Sequence, residues 1–133
     1  MDPVVHFEMP ADDQKRAADF YGKAFGWHAQ HLGPEMANYT VIHTTEMDKD
    51  RMPTKPGRIN GGIFKRTKSD QYPNVVIAVK DIREAMKKVA DAGGTVLGGQ
   101  KPGVPDDIPG IGLYVSILDT EGNRVGVIQP KEM

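Results

Sequence analysis

A strand followed by a helix occurs twice in this chain, at an offset of about 68 residues, and that repetition limits the folds open to it. In the first copy Val5, Phe7 and Met9 alternate with Val4, His6 and Glu8, the period of a strand with unlike faces. Asp12 or Asp13 then opens a helix whose stripe is Ala17, Phe20, Tyr21, Ala24 and Phe25, and Gly26 stops it. The second copy runs from an apolar strand at Asn74–Val79 to a helix that carries Ile82, Ala85, Met86 and Val89 on one side. Asp81 and Glu84 stand in capping-box spacing at its start, and Gly93-Gly94 ends it.

Three strand-like segments follow each helix. They are Trp27–Leu32, Tyr39–Thr44 and Ile59–Lys65 in the first copy, and Thr95–Leu97, Leu113–Leu118 and Arg124–Gln129 in the second. A Gly33-Pro34 turn separates the first pair, and the Asp119-Thr120-Glu121-Gly122-Asn123 stretch joins the last. The charged segment Glu46–Pro56 holds Pro53 and Pro56 without apolar period and reads as a mobile surface loop, with Lys101–Gly110 as a second loop. The expected architecture is therefore α+β: two tandem βαβββ modules, about residues 3–68 and 72–130, within one domain of 133 residues. Their apolar strand faces pack on the helices, which lie outside, and the opposite faces form a cupped mixed sheet whose polar residues are the site candidates.

Composition narrows the function. A formal net charge of −1 removes the overall attraction to phosphates, and Lys55, Arg58, Lys65, Arg66 and Lys68 lack interleaved aromatics, so no nucleic-acid partner is expected. No run approaches the roughly 20 apolar residues needed to span a bilayer, so no membrane partner is expected either. The amino-terminal stretch has no basic segment followed by an apolar one, and cysteine is absent, which together point to a cytoplasmic location. The lack of cysteine also excludes disulfides, thiolate metal ligands and cysteine nucleophiles.

The opening Val4-Val5-His6-Phe7-Glu8-Met9-Pro10-Ala11-Asp12-Asp13, continued by Ala18-Asp19-Phe20-Tyr21 and Phe25-Gly26-Trp27, resembles the vicinal oxygen chelate superfamily of glyoxalases, bleomycin-resistance proteins and dioxygenases. Asn60-Gly61-Gly62-Ile63-Phe64-Lys65-Arg66 and Asp119-Thr120-Glu121-Gly122-Asn123 are similar to a glyoxalase-related subgroup of it. The likeness covers nearly the whole chain and implies the glyoxalase/bleomycin-resistance fold, a small organic ligand and a homodimer. It also implies a divalent metal held by four histidine or glutamate side chains. His6 matches the first of those places, but Asn74 falls where a histidine is usual, Gly61 or Gly62 where a glutamate is, and Gly126 where the last glutamate is. Glycine has no side-chain donor, and an amide oxygen is a poor ligand for zinc or nickel.

Two functional readings follow. In the first, the sheet face binds a small organic molecule without a cofactor, through His6, Glu8, Tyr39, His43, Asn74 and Tyr114. In the second, His6 and Glu8, joined by His43, hold zinc, nickel, manganese or iron in a glyoxalase-like lyase or isomerase or a dioxygenase. Other features have plainer explanations. His28 and His31 point to opposite faces of a strand, Asp12-Asp13 and Asp106-Asp107 suit a cap and a turn, and Trp27 suits a core anchor. Ser69 and Ser116 lack a nucleophile-elbow context, and none of the glycine pairs has the setting of a phosphate loop.

Overall fold

The computed structural model describes residues 1–50 and 52–131. Among them the chain forms nine strands, two α-helices and one short 3-10 turn, divided between two compact units. One unit is His6–Pro73; the other joins Met1–Val5 to the residues from Asn74 onward.

The first module begins with β1 (Val4–Ala11), two residues longer than the sequence reading, and continues into α1 (Gln14–Phe25). Asp13 is the N-cap: its side chain accepts from the Arg16 amide at 2.9 Å, which occupies one of the donors a helix start leaves unpaired. Gly26 ends the helix at φ 75°, a left-handed conformation that glycine adopts without steric cost. Then come β2 (His28–His31), the 3-10 turn Pro34–Met36, β3 (Thr40–His43) and β4 (Asn60–Lys65). Their order in the sheet is β2-β3-β4-β1, with β1 parallel to β4 and the other neighbours antiparallel.

The second module repeats that topology. It has β5 (Asn74–Ala78), α2 (Ile82–Asp91), β6 (Thr95–Gly98), β7 (Asp106–Ile108), β8 (Gly112–Leu118) and β9 (Arg124–Pro130). Here the order is β5-β9-β8-β6, with β5 parallel to β9 and the other neighbours antiparallel. Asp81 caps α2 by accepting from Glu84 N at 3.1 Å, as the capping-box spacing predicts, and Gln129 Oε1 takes the Ile82 amide at 2.9 Å.

Each module has its own core under its helix. In the first, Ala11, Ile42 and Ile63 are buried, with Phe7, Met9, Ala17 and Trp27 packed on them. In the second the buried set is Val79, Ile82, Val115, Ile117 and Val127. Strand alternation then assigns the other face, so His6 and Glu8, out of phase with Phe7 and Met9, lie on the face of β1 away from α1.

Two readings need correction. The α1 stripe is displaced: Ala18 is buried and Ala17 packs on the core, whereas Phe20 and Phe25 are 57% and 65% exposed, so the covered side of the helix is narrower than the apolar stripe. Asp106 and Asp107 belong to β7, paired with Tyr114 and Leu113 of β8, so the Lys101–Gly110 loop contains a strand. Within Glu46–Pro56, an isolated bridge pairs Met47 with Pro53 and the Asp48 carboxylate accepts from the Asp50 and Met52 amides; Arg51 lies outside the described residues. The segment is thus a loop, as read from the sequence, with hydrogen bonds of its own.

Candidate functional site

On the β1 face away from α1, His6 and Glu8 are two residues apart and so project the same way. Tyr39, just before β3, joins them. Its hydroxyl donates to Glu8 Oε2 at 3.1 Å and lies 3.0 Å from His6 Nε2. The ladder explains the meeting, since Glu8 pairs with Gly62 on β4 and Gly62 pairs with Val41 on β3. Tyr39, two residues before Val41, is the diagonal neighbour of Gly62, within reach for an aromatic side chain. Nothing on Gly62 keeps the phenol away, and a Cβ built there would overlap the Tyr39 hydroxyl.

The other residues of this face follow from the same register. His43 is in phase with Val41 and thus shares the face of His6 and Glu8, and His28 on β2 pairs with it directly. His31 is turned to the other side, where its Nδ1 meets Thr40 Oγ1 at 2.8 Å. Asn60, the ladder partner of His6, was not anticipated. Its Oδ1 accepts from the Thr44 amide at 2.7 Å and the Thr45 amide at 3.1 Å, while its buried Nδ2 has no partner among the described residues. Only the register reveals Asn60 as a neighbour of His6, because the strand reading of Ile59–Lys65 does not say which strand it pairs with.

Asn74 and Tyr114 belong to the second unit. Asn74 opens β5, and its buried Oδ1 has no hydrogen-bond partner among the described residues. Tyr114 repeats the arrangement of Tyr39: it stands two residues before Ser116, whose partner is Gly126, and a Cβ on Gly126 would come within 2.5 Å of its hydroxyl. Each module thus has a tyrosine lying over a glycine of the neighbouring strand.

Burial lowers the His6 pKa below 6.5, against the opposing pull of the Glu8 charge. The unfolded chain therefore takes up this proton at higher pH than the folded one. The stability associated with neutral His6 is complete above about pH 6.5 and is lost as pH falls through the lower folded value. Urea-denaturation midpoints measured between pH 7.5 and 5 should fall more steeply for the native chain than for His6→Gln, which has no proton to take up. Asp13 and Asp119 act in a separate window. The Arg16 amide lowers the pKa of the first and the Asn123 side chain that of the second, so their contributions are lost only below about pH 3.8.

A family model for the Glyoxalase/Bleomycin resistance protein/Dioxygenase superfamily matches residues 4–127, nearly the entire chain. The chain belongs to this superfamily. Among curated proteins none matches it. Solved structures with the same fold include methylmalonyl-CoA epimerase from Mycobacterium tuberculosis, at 11% identity and a TM-score of 0.66, covering 97% of this chain and 88% of that one. A hypothetical protein from Bacillus halodurans aligns at 11% identity and a TM-score of 0.65, covering 99% and 96%. A Streptomyces coelicolor methylmalonyl-CoA epimerase in complex with 2-nitronate-propionyl-CoA aligns at 12% identity and a TM-score of 0.66, covering 97% of each chain. At such identities the likeness is one of fold.

The four metal-ligand places of the superfamily can be tested against these residues. In the first module His6 is present, but Gly62 offers no donor and its side-chain space is taken by Tyr39. In the second, Asn74 supplies an amide and the space over Gly126 is taken by Tyr114. No group of three or more histidine, aspartate and glutamate side chains is placed to hold a metal among the described residues. The usual ligand set does not fit this chain.

Proposed function

We propose that this protein binds a small organic molecule on the strand face of its first module, using the His6–Tyr39–Glu8 network and no four-ligand metal site. The observation that carries this reading is the hydrogen-bonded chain itself. A histidine, a phenol and a carboxylate linked at 3.0 and 3.1 Å on the side of β1 away from the core are polar groups set in fixed geometry. Polar groups held in fixed geometry can orient a ligand, and membership of a superfamily whose members commonly bind small molecules agrees with that use. Because Tyr39 takes the volume of a Gly62 side chain, the network replaces the metal set as the polar centre of the module.

Two measurements test the proposal. Plasma mass spectrometry, after incubation with nickel, zinc, manganese or iron(II) and desalting, should find well under one ion per chain; one ion per chain would sink the metal-independent reading. A fragment library screened by protein-observed NMR should shift the resonances of His6, Tyr39 and Glu8, and Tyr39→Phe should weaken those hits. Hits that all lie elsewhere would move the site off this face.

A further inference from the structure

The connectivity of the network also fixes the tautomer of His6. A phenol has one proton. Tyr39 gives that proton to Glu8 Oε2, so its oxygen meets His6 Nε2, 3.0 Å away, only as an acceptor. Nε2 must then carry hydrogen. In the neutral ring with hydrogen on Nε2, the second nitrogen, Nδ1, holds a lone pair. The hydrogen bond of His6 among the described residues is the one to Tyr39, which leaves Nδ1 unengaged. Glu8 behind Tyr39 acts as the orienting group, in the way that a partner on one imidazole nitrogen sets the role of the other.

We propose that His6 Nδ1 is the hydrogen-bond acceptor for the ligand, and that the ligand class is a small molecule presenting an N–H or O–H at this point. Hydroxyl compounds, phenols and secondary amides fit. Ethers, tertiary amides and ketones do not, because they would set a lone pair against a lone pair. Tyr39 and Glu8 are positioning residues: they hold the tautomer, and His6 makes the contact. The inference rests on the binding reading above and deepens it.

The experiment is long-range proton–nitrogen correlation NMR of the full-length, nitrogen-labelled protein near pH 7.5, with the His6 ring assigned by its disappearance in His6→Gln. The free protein should show a protonated Nε2 and an unprotonated Nδ1, with a slowly exchanging Nε2–H signal that Tyr39→Phe removes. A ring protonated at Nδ1 overturns the inference before any ligand is added. Matched probes then follow, phenol against anisole and N-methylbenzamide against N,N-dimethylbenzamide. The donor member of each pair should move the Nδ1 resonance and bind roughly fivefold more tightly, the value of one ordinary hydrogen bond. Equal binding with Nδ1 unmoved would overturn the assignment and leave binding on this face intact. If no probe perturbs His6, Tyr39 or Glu8 while the free ring shows the stated tautomer, the binding reading fails and the ligand assignment falls with it.

Discussion

Replacing Gly112 by alanine should cost about 3 kcal/mol and lower the melting temperature by roughly 10 °C, an estimate that combines strain with overpacking. Gly112 starts β8 at φ 144°, a backbone conformation that L side chains rarely adopt. A Cβ there would also overlap the Gln129 carbonyl oxygen and come within 3.0 Å of Lys131 N. These neighbours are main chain in a paired strand, since Gly112 opposes Pro130 and Leu113 opposes Gln129, so the clash cannot be relieved by a side-chain rotation. Gly122 supplies the control. Its φ is 82°, yet a Cβ there would meet nothing within 4 Å, so Gly122→Ala carries the conformational term alone, about 1 kcal/mol. Thermal or urea denaturation of the two variants separates the effects. Equal losses would mean that the Gln129 carbonyl does not crowd Gly112.

Gly112 also illustrates what a sequence conceals. The elements with local causes were legible: Asp81 as a cap and Asp13 as one of two candidates for the other, Gly26 as a stop, and the alternation that puts His6 and Glu8 opposite Phe7 and Met9. The repeat offset foretold two modules, and the matching orders β2-β3-β4-β1 and β6-β8-β9-β5 are its structural form. Features that depend on pairing between distant strands were not legible. β7 forms although two of its three residues, Asp106 and Asp107, have poor strand propensity, because β6 covers β8 only from Ser116 onward and leaves the earlier part of that edge to β7. Phe20 and Phe25 looked like core because their spacing is helical, but periodicity says nothing about how wide a face the sheet can cover.

The candidate site divides in the same way. His6 and Glu8 were assigned to one face from alternation alone, and Tyr39 and His43 were named as neighbours. That the Tyr39 hydroxyl stands between the first two depends on the parallel β1–β4 register and the β3–β4 register together, pairings that join strands distant in sequence. The glycines at Gly62 and Gly126 registered only as missing ligands. In three dimensions they are the spaces that admit two phenols.

Adjacent glycines on β4 should therefore respond to the same substitution in different ways. Gly61 pairs with Phe7 on the helix side, and a Cβ there would meet ring carbons of Phe7 at 2.6 Å. That ring has little freedom: Trp27 lies 5.7 Å from it, itself stacked on Tyr21 at 4.7 Å. Gly61→Ala should cost about 2–3 kcal/mol, the upper part of the range for overpacking a filled core. Gly62→Ala meets the far end of the Tyr39 side chain instead, which can swing aside at the cost of contacts that include its hydrogen bonds to His6 and Glu8. Its cost should be about 1 kcal/mol, because water replaces part of what is lost. The two variants part further in spectroscopy. Gly62→Ala should abolish the slowly exchanging His6 Nε2–H signal, whereas a Gly61→Ala chain that remains folded should keep it. Removing the phenol first decides the cause: in a Tyr39→Ala background the extra methyl at position 62 finds room, and its cost should vanish. A coupling of about 1 kcal/mol between the two sites is the expected result. Coupling near zero would mean that Gly62 is glycine for a reason other than the tyrosine above it.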